Sequence, residues 1–322
     1  MTGPVRFGLI GVGRWGKVYV KTLRAVGPEF ARLTHAATSR PENAAALPEG
    51  VRVERDWRAL LSAGCDALII ATPAPAHADI VEACVEAGMP CIVEKPLCLD
   101  VETAERVHAR VTASGAPVLV NHTYLFNPGY VALRESVRRD GTPVRLILSE
   151  GVGLGPFRPE TPAVWDWGAH DVSLCLDLMG RPPESVEALG LKPEGGAQAA
   201  EQACMRLGFS GGAQAWIHIG RLSPFDRRTF SVFTSRRLVA FDELDAKRVS
   251  AGPFAFDDRG SGAPAPRGPV ALEPGRLPME EMLRYFVRGL RGGPREHFGT
   301  ALALDVTRVL ARAEAALSSS SV

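Results

Sequence analysis

At 322 residues the chain is long for a single hydrophobic core and suits two domains. Hydrophobic residues make up 46% and charged residues 23%, and 37 basic side chains against 36 acidic ones leave a formal charge of +1. That balance gives no reason to expect nucleic acid or an anionic membrane surface as a partner. No apolar run approaches the roughly 20 residues of a membrane helix. Met1-Thr2-Gly3-Pro4 leads straight into a strand with no secretory signal, so a cytoplasmic location is expected.

Val5 to Ile10 reads as a buried strand that runs into Gly11-Val12-Gly13-Arg14-Trp15-Gly16, a G-x-G-x-x-G. Gly11 permits the tight turn, Gly13 lets a pyrophosphate approach the backbone, and Gly16 lets helix and strand pack closely. The helix Lys17 to Val26 follows, its N-terminal amides facing the phosphate. A second strand covers Arg32 to Thr38. A site for NAD usually carries Asp or Glu near that strand's end; here the chain reads Thr38-Ser39-Arg40-Pro41. Ser39 and Arg40 could bond a 2′-phosphate, which favours NADP over NAD, the alternative being a solvated loop arginine.

The alternation continues with a short helix at Glu42 to Leu47, a strand at Val51 to Val53 and a helix at Asp56 to Ser62 capped by Asp56. Ala67 to Ala71 is a continuous apolar strand ending at Thr72-Pro73, and His77 opens the helix Ala78 to Ala87. The strand Met89 to Val93 precedes Glu94-Lys95-Pro96. Asp100 caps the helix Val101 to Ala113, and Pro117 to Val120 is a sixth strand. Repeated βα units of this kind make a doubly wound parallel sheet.

Lys95 stands just past the C-terminal end of a buried strand, where open α/β sheets bind ligands. A half-desolvated lysine there can reach a pKa suited to proton transfer, whereas a surface lysine in a Pro-stiffened turn is the commoner case.

After Asn121 the pattern changes. Pro128 to Arg139 reads as a helix, Val144 to Ser149 as a strand and Gly151 to Pro162 as a loop. Trp165-Asp166-Trp167-Gly168-Ala169-His170-Asp171 opens a helix running to Met179. On an α-helix, Asp166, His170 and Ser173 share one face, and an acid one turn before a histidine can orient it as an acid/base group. The alternative is an N-cap Asp166 with a structural His170. Trp165, Trp167 and Tyr124 either line a pocket or belong to the core. Strands without intervening helices follow at Ser185 to Leu191, Gln202 to Phe209, Ala213 to Ile219, Thr229 to Thr234 and Arg237 to Phe241. Adjacent antiparallel strands make this half α+β. Residues 250–278, crowded with Gly and Pro, read as a lid, a mobile loop or a partly disordered stretch. Glu280 to Leu290 and Thr300 to Leu317 are amphipathic helices, and the Ser318 to Ser321 tail is expected to fray. The six cysteines show no C-x-x-C spacing and read as free thiols, and neither they nor the histidines outline a metal site.

Taken together, these residues resemble the glucose–fructose oxidoreductase / inositol dehydrogenase / rhizopine catabolism family, Gfo/Idh/MocA. The matches are Gly11 to Gly16, Ala71-Thr72-Pro73 with His77, Glu94-Lys95-Pro96, and Asp166-x-Gly168-x-His170; the pattern around Phe286, Gly292-Gly293-Pro294 and Ala301 also fits. The resemblance implies a Rossmann NAD(P)-binding domain over 1–121. It implies an α+β domain with a large, mostly antiparallel open sheet over 122–322, whose last helices can pack back on the first domain. It implies that Lys95 binds the reacting oxygen, that His170 exchanges its proton and that Asp166 positions or relays. Gly11, Gly13, Arg14, Trp15, Gly16, Ser39, Arg40, Thr72, Pro73, His77, Glu94 and Lys95 are the implied cofactor set. Tyr124, Trp165, Asp166, His170 and Lys95 are the implied substrate set.

The implied reaction passes a hydride between nicotinamide and a ring hydroxyl or ketone of a sugar, amino sugar or nucleotide-linked sugar. The implied assembly is a homodimer or homotetramer through the open sheet. Two departures stand out: Ser173 occupies the place of a second acid while Asp171 directly follows His170, and no arginine follows Tyr124 two residues on. A non-catalytic NAD(P)-binding regulator on the same scaffold is the other reading, and the joint presence of Lys95, Asp166 and His170 weighs against it. A methyltransferase would fit the glycine turn but neither Lys95 nor the second-half motif.

Overall fold

The structure, a computed structural model, describes residues 3–155, 161–192, 199–244, 248–253, 268–271 and 276–319. The chain forms two compact units, Met1–Thr123 with Arg276–Thr307, and Tyr124–Gly275 with Arg308–Val322.

In the first unit β1 (Val5–Ile10), α1 (Arg14–Val26), β2 (Ala31–Ala37), β3 (Arg52–Glu54), β4 (Ala67–Ile70), α2 (His77–Glu86), β5 (Cys91–Glu94), α3 (Val101–Ser114) and β6 (Val118–Asn121) follow one another. All six strands run parallel, in the order β3-β2-β1-β4-β5-β6. β4, β5 and β6 are buried along their whole length, the reason their sequences are unbroken runs rather than alternating ones. Chain order reverses between β1 and β4, which opens a crevice at the carboxyl ends of those strands. Local signals hold the ends: Asp56 and Asp100 accept from the amides of Arg58 and Thr103, and Gly115 closes α3 in the left-handed conformation.

Three expectations shift. α1 begins at Arg14, inside the glycine motif, because the Lys17 amide already bonds the Gly13 carbonyl at 3.0 Å. The helices expected at Glu42 to Leu47 and Asp56 to Ser62 are 3₁₀ turns over Pro41–Ala46 and Trp57–Leu61. Neither has enough buried apolar surface to sustain a longer α-helix.

The second unit holds α4 (Pro128–Asp140), β7 (Val144–Leu154), α5 (Ala169–Met179), β8 (Ser185–Leu191), β9 (Gln202–Gly208), β10 (Gln214–Gly220), β11 (Leu222–Thr234), β12 (Arg237–Asp242), β13 (Arg248–Pro253) and β14 (Gly268–Pro269). They form one sheet in the order β14-β13-β12-β11-β7-β10-β9-β8. Every neighbouring pair is antiparallel except β7 with β10. α4 packs on β11, β12 and β13, and α5 on β7 and β10. Strand alternation separates the two faces of the sheet. Ile147 and Ile217 are buried under the helices, while Leu148 and Trp216, cross-strand partners on the other face, are 38% and 54% exposed.

β7 runs five residues past the expected end at Ser149, so the loop read from Gly151 is sheet as far as Leu154. The glycines that suggested a loop serve another purpose. A Cβ on Gly151 would lie 2.1 Å from Arg228 Nη1, and one on Gly153 would lie 2.4 Å from Asp226 Oδ1. The strand is thinned there so that β11 side chains can lie across it. The expected lid at 250–278 is in part paired strand, with Ser250 opposite Pro269 and Ala251 opposite Gly268; residues 254–267 and 272–275 lie outside the described residues.

Two helices close the chain. α6 (Pro278–Leu290) lies against α1, where Arg284 donates to the Val26 carbonyl at 3.1 Å and Phe286 meets Phe7. α7 (Ala301–Ser319) continues through Ser318 rather than fraying there; Ser320 and Ser321 lie outside the described residues. Among the described residues no helix is long and apolar enough to cross a membrane.

Candidate active site

The crevice between β1 and β4 is a groove of ≈ 340 Å³. Its floor is the glycine turn. Gly11 has φ +91°, and a Cβ on it would meet the Ala71 carbonyl oxygen at 2.7 Å. A Cβ on Gly16 would stand 2.1 Å from the Gly11 oxygen, whereas one on Gly13 would meet nothing within 4 Å. Gly11 and Gly16 are therefore glycines for the protein's own packing, and Gly13 for open space above the backbone. α1 starts there with Gly13 as N-cap, no side-chain cap and no acid in its first turn. Its first amides are left for an anion. Arg14, Trp15 and Gly16 carry those backbone amides at the start of α1, and none of the three is among the groove's lining residues.

Ser39, Arg40, Thr72 and Pro73 all line the groove. The Thr72 hydroxyl is buried and has no partner among the described residues, as a group awaiting a ligand would be. Among the lining residues not named from the sequence as cofactor contacts are Asn43, Arg55 and Trp57. They stand on or beside turns that β3 and its neighbours bring to the end of β2, and no local motif marks them. No Asp or Glu is among the groove's lining residues. Among the described residues neither Arg40 nor Arg55 is held in an ion pair, in contrast to arginines such as Arg134 and Arg228.

His77 and Glu94 are placed differently from what a direct cofactor contact would require. His77 is buried, with Nδ1 2.9 Å from the Pro96 carbonyl and Nε2 2.9 Å from the Thr72 carbonyl. It staples the backbone under the groove to the backbone after Lys95. Glu94 is buried and its Oε1 accepts from the Tyr19 hydroxyl and from Asn121 Nδ2, each at 2.7 Å. Burial pushes its pKa up, against the pull of those two bonds and of Lys95. Lys95 itself is 8% exposed; it directly follows β5, and the peptide after it, Lys95–Pro96, is cis. Asn121, a polar residue ending a buried strand, is a signal that sequence reading could have used.

In the second unit, the expected α-helical face of Asp166, His170 and Ser173 is altered. Val164–Gly168 is a π-turn, and α5 begins only at Ala169. The Asp166 carboxylate is held at 2.7 Å by Nη2 of Arg221, a fully buried arginine whose Nη1 bonds Glu201 at 2.9 Å. Ser173 is buried and donates to the His170 carbonyl, so it does not join the site. The ring of His170 meets that of Tyr124 edge-on, with centroids 4.8 Å apart. Trp165 is 3% exposed, the commoner fate of a tryptophan at a helix start, and Trp167 lies over Gly153 and Gly155. Asp171 points to the sheet, where Ser149 donates to it and Arg228 pairs with it at 3.0 Å.

Among the described residues no group of three or more His, Cys, Asp or Glu side chains could hold a metal ion. A helix start stripped of caps and acids, at the switch point of a parallel sheet, is how dinucleotide-dependent oxidoreductases hold a pyrophosphate, and the chain falls in that class.

Comparison with known proteins narrows the class. Residues 5–122 match the family model described as an oxidoreductase family with an NAD-binding Rossmann fold, and residues 158–239 match the GFO/IDH/MocA C-terminal domain. The chain is 31% identical over 237 residues to the inositol 2-dehydrogenase of Rhizobium meliloti (strain 1021), covering 69% of this chain and 70% of the relative. It is 28% identical over 249 residues to the UDP-N-acetylglucosamine 3-dehydrogenase of Acidithiobacillus ferrooxidans, covering 75% of each. A solved structure from Magnetospirillum magnetotacticum MS-1 superposes with a TM-score of 0.85 at 36% identity, over 96% of this chain and 99% of that one. The chain belongs to the Gfo/Idh/MocA family of NAD(P)-dependent oxidoreductases.

His77 yields a test. Burial lowers its pKa below the usual 6.5, outweighing the two backbone bonds that raise it. As pH falls below about 6.5 the unfolded chain takes up a proton that the folded chain refuses, so this group's stabilising contribution is lost as pH falls through the folded value. Urea unfolding of His77→Gln should lose less stability than wild type between about pH 7 and about pH 5. Parallel losses would mean that His77 does not contribute to the acid sensitivity.

Proposed function

We propose that the chain is an NADP-linked oxidoreductase of a sugar or cyclitol. It would pass a hydride between nicotinamide and a ring carbon that carries a hydroxyl or ketone. The observation that carries this reading is the groove: a glycine cradle at one end, Ser39, Arg40 and Arg55 at the other, and no carboxylate lining it. A ribose 2′-hydroxyl is usually held by an acid at the end of the second strand; a 2′-phosphate is held by guanidinium and hydroxyl donors. Trp57 offers the adenine an apolar wall.

When bound, the cofactor supplies the hydride chemistry, and the chain supplies orientation and proton management. Lys95 donates to the substrate oxygen, which polarises a ketone or orders an alcohol for hydride loss. His170 takes or returns the hydroxyl proton. Asp166, pinned by Arg221, serves as a fixed anion that positions and not as a mobile relay. The substrate class follows the named relatives, one an inositol and one a UDP-amino-sugar dehydrogenase. The six thiols, none in a disulfide, fit a reducing cytoplasmic setting. The exposed Leu148–Trp216 pair on the open sheet is the surface through which two copies would associate.

Four measurements test these assignments. The protein, assayed at 340 nm with NADP⁺ against cyclitols, aldoses and UDP-N-acetylhexosamines, should turn over at least one of them. Lys95→Ala should lower that kcat by about 10²–10⁴-fold while cofactor fluorescence still reports binding; wild-type rates in Lys95→Ala would remove the lysine from the chemistry. Arg40→Ala and Arg55→Ala should each weaken NADP⁺ by about 10–100-fold and leave NAD⁺ unchanged; equal losses for both cofactors would refute the phosphate assignment. Trp216→Arg should elute as a 34.5 kDa protomer in light scattering where wild type is larger; an unchanged mass would place the interface elsewhere.

A further inference from the structure

We propose that Arg228 is a positioning residue for His170, acting through the ring of Tyr124. The proposal deepens the reading in which His170 handles the substrate proton, and it rests on that reading.

Arg228 comes from β11, in register with Gly151 of β7, and the missing side chain at Gly151 is what admits its guanidinium. One edge of the group is fixed: Nη1 donates to Asp171 Oδ2 at 3.0 Å, and Asp171, 2% exposed, is in turn fixed by Ser149. Its face lies over Tyr124, with Cζ 4.3 Å from the ring centre. The edge contact between the Tyr124 and His170 rings completes a stack of three. A planar cation held by an ion pair on one side can press an aromatic ring into one orientation, and a guanidinium does so better than an ammonium because its face matches the ring.

The stack also explains features of the sequence that the family pattern leaves unused. Asp171 directly follows His170, yet it faces the sheet; its task is to anchor Arg228. No arginine stands two residues after Tyr124, and Arg228, more than a hundred residues later, brings a guanidinium to the same ring. Since Nη1 is spent on Asp171 and Glu243 also attracts the cation, the charge of Arg228 is already compensated within the protein. That suits a support for the imidazole better than a capture site for an anionic substrate.

The test needs no known substrate. Protein labelled at histidine Cε1 gives one cross-peak for each of seven histidines, and the peak lost in His170→Gln is that of His170. Tyr124→Leu removes the ring current and should shift this peak. Arg228→Gln and Arg228→Lys should shift it in the same direction, because without the planar face the tyrosine ring loses its fixed orientation. Tyr124→Phe, which keeps the ring, should leave the peak near its wild-type position. A His170 peak unmoved by both Arg228 variants, in protein with wild-type circular dichroism, overturns the proposal.

With any substrate found in the panel above, Arg228→Gln and Tyr124→Leu should each lower kcat by about tenfold and the pair by no more than the larger single loss. Fully additive losses would also overturn the proposal. If no substrate turns over, the proposed reaction fails while the spectroscopic result still decides the role of Arg228.

Discussion

The close approach of three backbone segments at Gly11 is the constraint from which the first unit takes its use. β1 turns so close to the Ala71 carbonyl, and α1 starts so close to the Gly11 oxygen, that a Cβ added at Gly11 or Gly16 would stand 2.7 Å or 2.1 Å from those oxygens, nearer than real Cβ atoms come. Any side chain at Gly11 or Gly16 would overpack the junction, typically at a cost of about 1–3 kcal/mol. Because the turn is so tight, the helix begins immediately at the crevice and with no cap of its own. Anion binding is thus a by-product of how strand and helix are joined.

Buried charge shapes the second unit. Arg221 is shared between Asp166 and Glu201, Arg228 is paired with Asp171, and Arg134 with Asp177, joining α4 to α5. Buried pairs of this sort add little net stability, yet removing one partner costs about 3–5 kcal/mol, because the other is left uncompensated. Their value lies in geometry. Arg221 fixes the Asp166 carboxylate, Arg228 lies over the Tyr124 ring, and Arg134 ties two helices together. The π-turn at Val164–Gly168 belongs to the same economy of position, since it sets where the Asp166 side chain leaves the helix.

The parallel sheet, its strand ends and its helix caps were legible because they depend on local features. Continuous apolar runs, Asp56 and Asp100 at helix starts, and the glycine motif act over a few residues. What was not legible depends on distant partners. Arg221 meets Asp166 across 55 positions, and Arg228 meets Asp171 across 57. Nothing near either arginine marks it as more than a strand residue. β7 was cut short because its glycines looked like loop; their reason for being glycine lies on β11. His77 and Glu94 were found by motif, but the motif could not say that they sit beneath the groove and not in it.

The staple at His77 has a consequence in proton geometry. A neutral imidazole carries a single N–H, yet His77 is within bonding distance of two carbonyls, one at Thr72 and one at Pro96. Either tautomer serves one and deserts the other. The backbone at Thr72 and the backbone at Pro96 therefore compete for one hydrogen, and a change that tightens one of them slackens the other.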